Sequence, residues 1–205
     1  MKRYTSSCSI FKNKFLSLLI LAFGILLTCT ASARMKPLTV TELVKQSTHV
    51  VEAELLKIDS HWSADKTYIY TAATFKINSV LRGKIASENI VVYLPGGEIG
   101  NTRQLVIGAP DFSPGEKSLL ILRAIDQGLV KGNVAANSFN IISLSQGKFS
   151  LVKDTTTNTT RAVSAARAYF AADALKNSQP IYNANGIPLQ NLRKQVEALN
   201  QKSAR

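Results

Sequence analysis

The stretch Thr67 to Leu81 constrains the fold most. Ile69, Thr71, Ala73, Phe75 and Ile77 alternate with Tyr70, Ala72, Thr74, Lys76 and Asn78. A period of two, carried by β-branched and aromatic residues, predicts a strand with one face on a core and the other toward water. The same signal recurs along the chain. His49 to Ile58 reads as a first strand, Asn89 to Leu94 as a third, apolar on both faces, and Arg103 to Gly108 and Lys117 to Ile125 as a fourth and fifth. Shorter strands are expected around Leu129-Val130, Phe139 to Ile142 and Lys148 to Val152. Turn-forming residues separate them at Asp59 to Lys66, at Arg82-Gly83-Lys84, at Pro95-Gly96-Gly97, at Pro110 to Gly115 and at Asp126 to Gly128. Many short strands with closely spaced turns predict a mainly β fold, an antiparallel barrel or sandwich.

Two helices are expected to flank the strands. Thr39 and Glu42 have the spacing of a capping box, with Val40, Leu43 and Val44 as the buried stripe and a stop near Ser47-Thr48. Pro188 suits a first helical position, and Leu189, Leu192, Val196 and Leu199 fall on one face of the helix behind it. Between them, Asp154 to Thr160 is a polar, low-complexity break, and Arg161 to Lys176 is alanine-rich with weak patterning. The expected organisation is a β domain over 34–155, a linker or weak helix over 156–187 and a C-terminal helix over 188–205.

Residues 1–33 read as a secretory signal peptide. Lys2, Arg3, Lys12 and Lys14 form a cationic start without acids, Phe15 to Cys29 is apolar and uncharged, and Ala31-Ser32-Ala33 presents small residues where a signal peptidase cuts. Cleavage is expected between Ala33 and Arg34. The apolar run is shorter than the roughly 20 residues of a spanning helix, so no transmembrane span is expected after cleavage. A lipoprotein acylated at Cys29 is the weaker alternative, because Thr28 stands where a lipobox carries a smaller residue. The expected location is the periplasm or the extracellular space.

Removal of this segment takes four of the 25 cationic residues and none of the 13 acidic ones, so the net charge falls from +12 to +8. Both cysteines, Cys8 and Cys29, leave with it. That excludes a disulfide framework, thiol catalysis and thiolate metal sites. The remaining cations are scattered and not interleaved with aromatics, so no specific nucleic-acid partner is expected. Attraction to an anionic envelope surface stays open.

Candidate sites are few. His49 and His61 are the two histidines. With Asp65 they supply three ligands only if a turn gathers them, and no zinc-binding spacing is present, so neither a metal nor another cofactor is expected. There is no Gly-x-Ser-x-Gly nucleophile motif. Glu52 and Glu54 share one strand face, which permits a carboxylate dyad but reads more simply as a wet surface. Gly96-Gly97-Glu98-Ile99-Gly100 lacks the context of a phosphate loop and reads as a turn needing positive φ. Trp62, in a polar loop beside His61, is the leading recognition candidate, since an indole is a common interface anchor.

The order of features resembles an uncharacterised exported bacterial domain. The matching pieces are Leu43 to Val51, Trp62, Ile69 to Thr71, Val80 to Gly83, Pro95 to Gly100, Gly108 to Phe112, Pro114 to Glu116, Leu119 to Leu122 and Gln146 to Phe149. In some proteins this domain precedes a matrixin-type zinc metalloprotease domain. The resemblance covers roughly residues 36 to 155 and does not extend to the protease's zinc-binding helix, so it implies no protease activity. Val50 to Leu94 is also faintly similar to the netrin-like modules of metalloproteinase inhibitors, which are five-stranded OB barrels. Those inhibitors chelate zinc through an N-terminal cysteine, which a chain beginning at Arg34 lacks. Taken together, the expectation is an OB-like, non-enzymatic exported binding module with an exported protein partner, accompanying or regulating a protease. The alternatives are a hydrolase with a non-sequential carboxylate or hydroxyl site and a structural envelope protein.

Overall fold

Strand β1 (His49–Trp62) is 14 residues long and does two jobs. From Val50 to Trp62 it pairs antiparallel with β2 (Ile69–Arg82), and over His49–Glu54 its other edge pairs antiparallel with β6 (Lys117–Ala124). Register shifts between Val50 and Val51, Glu52 and Ala53, and Leu55 and Lys57 bend it. Bulges of this kind raise local twist and let a sheet curl on itself. β2 pairs antiparallel with β3 (Asn89–Pro95), β3 pairs parallel with β7 (Ser138–Ile141), and β7 pairs antiparallel with β6. The circuit β1-β2-β3-β7-β6-β1 closes a five-stranded barrel of OB type. The computed structural model describes residues 36–125, 137–170 and 180–203. The signal segment, its cleavage residues Ala31, Ala33 and Arg34, the turn Asp126 to Gly128 and the strand expected at Leu129-Val130 lie outside these described residues.

The barrel interior is filled from alternating positions. Phe75 and Ala73 of β2 meet Val51 and Ala53 of β1 and Val92 of β3, all fully buried. Ile69, Thr71 and Ala73 share the inward face with Phe75, as the period-two pattern requires. β6 is apolar without alternation because both of its faces are covered. Leu120 and Leu122 point into the barrel, while Leu119 and Ile121 join a second core outside it.

That outer core is roofed by helix α1 (Val40–Gln46), helix α2 (Leu189–Ser203) and a hairpin of β8 (Lys148–Asp154) and β9 (Thr159–Ser164). α1 carries the capping box. The Glu42 amide donates to Thr39 Oγ1 at 3.1 Å, and the Thr39 amide donates to Glu42 Oε2 at 2.7 Å. α2 buries Leu189, Leu192 and Val196, with Leu199 partly covered. Pro188 sits just before this helix, in the two-residue strand β10 (Ile187–Pro188) that bridges to β9. Among the described residues no helix is long and apolar enough to cross a membrane.

Several local expectations are corrected. β1 runs on to Trp62, so the turn narrows to residues 63–68 and both His61 and Trp62 are strand residues. The strand expected at Arg103–Gly108 is only Thr102–Gln104 (β5), half of a small hairpin with β4 (Gly97–Ile99). The polar break at Asp154–Thr160 is the β8–β9 turn, where Asp154 Oδ1 accepts from the Thr156 and Thr157 amides at 3.0 and 3.2 Å. The segment 156–187, expected as linker or weak helix, contributes β9, then 3₁₀ turns at Ala165–Tyr169 and Pro180–Tyr182. Its alanines are small packing residues, with Ala162 and Ala166 fully buried in the outer core. The boundary placed at residue 155 therefore falls inside a hairpin.

A polar node ties the two ends of this layer together. Tyr182 is 2% exposed, and its hydroxyl donates to the Leu38 carbonyl at 2.6 Å. Gln146 Oε1 accepts from the Leu38 amide at 2.8 Å, and its Nε2 donates to the Lys36 carbonyl at 3.1 Å. Burial pushes the Tyr182 pKa well above its ordinary value. Tyr182→Phe strands the half-buried Leu38 carbonyl and is expected to cost about 1–2 kcal/mol in a urea melt. A variant as stable as the parent would show that water replaces the lost donor.

Candidate functional site

A cleft of about 360 Å³ opens at the barrel end where β1 outruns β6. Its floor is built from Thr71, Leu94 and Phe112, its walls from Ile58 and Ser60 of β1 and from the β4–β5 hairpin with the loop that follows. Phe112 plugs the barrel mouth edge-on against Phe75, with ring centroids 5.1 Å apart. The turn Pro110–Gly115 holds that plug in place. Gly115, at φ +74°, lets the chain reverse, its amide donates to the Leu55 carbonyl, and the Leu55 amide donates back to Glu116.

A buried ion pair anchors the same turn. Lys148 Nζ lies 2.8 Å from Glu116 Oε1, donates to the Asp111 carbonyl and sits 4.1 Å from the Phe112 ring centroid. Glu116 also accepts from Ser150 Oγ at 2.6 Å and from the Ser113 amide at 3.0 Å. Burial opposes ionisation of Glu116. The hydrogen bonds from Lys148, Ser150 and Ser113, with the lysine's charge, outweigh it and hold the carboxyl below its ordinary range.

The hydroxyls on the cleft floor are spent on structure. Ser60 Oγ and Thr71 Oγ1 lie 3.1 Å apart, Thr71 donates to the Gly96 carbonyl at 2.8 Å, and the Glu98 amide donates to Ser60 at 3.3 Å. Gly97 explains how the hairpin comes so close. It has φ +144°, and a Cβ there would stand 2.5 Å from both hydroxyl oxygens. The glycine pair is thus a turn needing positive φ, as its sequence implies. Among the described residues no histidine, cysteine or lysine lines the cleft.

The rim is open and mixed, with the charged Glu98, Arg103 and Asp111 beside large apolar side chains. Leu105 is 76% and Ile107 83% exposed, and Ile58 and Tyr169 are also uncovered. Trp62 is exposed as well, two residues past Ser60 on the same strand face, and it pairs with Ile69. Alternation sends its neighbour His61 to the opposite, outer face, where it meets Tyr70. The two residues singled out together in the sequence therefore serve different surfaces. Leu105 and Ile107 were not singled out, because an apolar pair after a strand reads as more strand.

The other candidates are absorbed into the fold. His49 is half-buried, edge-on to Phe139 with centroids 4.9 Å apart, and its Nδ1 lies 2.8 Å from Thr48 Oγ1. Asp65 accepts from Ser63 and Thr67, and these bonds hold its carboxyl below the ordinary range. Among the described residues no three potential ligands converge on a metal position. Glu52 and Glu54 do not form a wet dyad. Glu52 is 5% exposed and takes a two-pronged bond from Arg193 of α2, both contacts 2.6 Å. Glu54 faces Lys117 at 3.7 Å. No family model matches the chain, and no curated protein is similar to it.

Proposed function

We propose that this chain is an exported, non-enzymatic binding module whose barrel-mouth cleft takes an apolar segment of a partner protein. The observation that carries the reading is the pair Leu105 and Ile107, left 76% and 83% exposed on the rim of a cleft of about 360 Å³. Large aliphatic side chains at that exposure gain by burial in a complex. The floor hydroxyls bond to the protein itself, and Glu52 is committed to Arg193, which favours recognition over chemistry. Export rests on the signal-like segment 1–33, with cleavage between Ala33 and Arg34. A protease as the partner is the narrower form of the proposal and rests on the resemblance over residues 36 to 155.

The test is comparative capture. The exported protein and its Leu105→Asp/Ile107→Asp double variant are each used to capture partners from the envelope fraction, followed by titration of the purified partner. Wild-type capture of a partner, weakened about thirtyfold or more in the variant, is expected for an interface anchor. The variant's thermal midpoint should match the parent's, because neither side chain is in a core. Trp62→Ala should weaken the same complex without unfolding the protein. Equal capture by parent and variants would remove the cleft from the function.

A further inference from the structure

The far end of β1 presents an open strand edge. β6 pairs with β1 only as far as Glu54, and the chain before β6 closes off Leu55 through Gly115 and Glu116. From Lys57 to Trp62, β1 has β2 on one side, and among the described residues no strand pairs with its other side. Two contacts fix which backbone groups face that open side. The Ser63 amide donates to the Tyr68 carbonyl, so Ser63 is turned toward the β2 side. The Ile69 carbonyl accepts from the Gly96 amide, so Ile69 is turned away from Trp62, its partner on β1. Backbone direction alternates along an antiparallel pair, and no register shift interrupts Lys57 to Trp62. The amides and carbonyls of Ile58, Ser60 and Trp62 therefore all face the open edge.

This edge lacks the usual protection against pairing. It contains no proline and no bulge past Lys57, and the charge of Lys57 is neutralised by Asp59 at 2.8 Å. Ile58 and Trp62 are large apolar side chains left exposed along it. The edge is also complementary to itself. With two copies antiparallel and Ser60 opposite Ser60, Ile58 of each copy faces Trp62 of the other, and Asp59 faces His61. All three outward-facing residues then sit in hydrogen-bonded pairs, so each free amide meets a carbonyl. Asp59 and His61 fall in the closer, non-hydrogen-bonded pairs, where an imidazole N–H can donate to the carboxylate. Within each copy the Tyr70 ring backs His61, with centroids 5.6 Å apart. A slide of two residues one way sets Asp59 against Asp59, which like charges disfavour. A slide of two the other way sets His61 against itself and leaves Asp59 opposite Ser63.

We propose that two copies of this chain pair antiparallel through this edge, with the two-fold axis at Ser60. The occupant is selected by the order Ile58-Asp59-Ser60-His61-Trp62, which places apolar against apolar and acceptor against donor only when it meets itself reversed. The inference does not rest on the partner-binding reading. It uses the backbone edge of β1, whereas Leu105 and Ile107 belong to the other wall of the cleft.

Light scattering of the purified exported protein over a concentration series tests this. A dimer is expected. Its dissociation constant should rise about tenfold in His61→Asp, which sets carboxylates face to face, and fall back toward the parent's in Asp59→His/His61→Asp, which restores each pair with its members exchanged. Both cysteines lie in the signal-like segment. An oxidised mixture of exported Asp59→Cys and His61→Cys variants should therefore give a mixed disulfide dimer, and neither variant alone should cross-link. Should a variant fail to fold, amide exchange of the parent gives the second reading: the Ile58, Ser60 and Trp62 amides should gain protection as concentration rises. A monomer at millimolar concentration overturns the proposal. So does a dimer whose cross-linking ignores the Asp59–His61 pairing, or edge amides protected only by a captured partner protein.

Discussion

Phe75→Ala is expected to destabilise the protein by about 3–5 kcal/mol, the range for truncating a fully buried phenylalanine. Phe75 is 0% exposed at the centre of the barrel, and its ring is the surface against which Phe112 closes the mouth. The vacancy would be lined by β-strand backbones tied into a closed circuit, which cannot collapse inward to refill it. Denaturant unfolding of parent and variant measures the loss. A change under about 1 kcal/mol would mean that the interior repacks around the hole. The cleft should deform too, because Phe112 loses its support.

Glu116→Gln is expected to cost about 3 kcal/mol near neutral pH. Removing one partner of a buried ion pair typically costs about 3–5 kcal/mol, since the other charge is left without compensation. The lower end applies because the Glu116 side chain keeps 18% of its surface exposed, against 5% for Lys148. The pH dependence has a definite sign. The folded carboxyl titrates below its ordinary value near 4.5. Its contribution is therefore complete above about pH 4.5 and is lost as pH falls through the lowered folded value. The parent should lose stability over that acidic window, and Glu116→Gln should lose less there. The two curves should approach each other in acid and separate toward neutrality. Parallel curves would assign the acid sensitivity to Glu42, Asp65 and Asp154, whose carboxyls hydrogen bonds also hold low.

The same ion pair shows where reading the sequence stops. Pro110 to Gly115 is recognisable as a turn from its prolines and glycine alone. Nothing in that segment reveals that Glu116 neutralises Lys148, 32 positions further on, or that Phe112 plugs a barrel. Glu52 makes the point more sharply. Alternation puts it on the outer face of β1, and an outer face ordinarily means water. Its partner, Arg193, lies 141 residues away on a helix that the fold lays over that face. Trp62 and His61 illustrate a boundary effect. Their polar neighbours read as a loop, but pairing with β2 extends β1 through both of them, and a strand separates adjacent residues onto opposite faces.

Period two along β2, the capping box of α1 and the apolar stripe of α2 were determined by the sequence itself. Each depends on residues within a few positions of one another, so the local chain contains the whole signal. The mainly β class followed from the number and spacing of such segments. Tertiary structure alone decided the closure through the parallel β3–β7 pairing, the strand made from the Thr159–Ser164 segment, the burial of Glu52 and the shape of the barrel-mouth cleft. The physical reason is common to all four. Backbone hydrogen bonds between distant strands carry no side-chain signature, and whether a polar or small residue is buried depends on what the rest of the chain places over it. Leu105 and Ile107 are the complementary case: their apolarity is written in the sequence, but their exposure exists only because no other described part of the fold covers them.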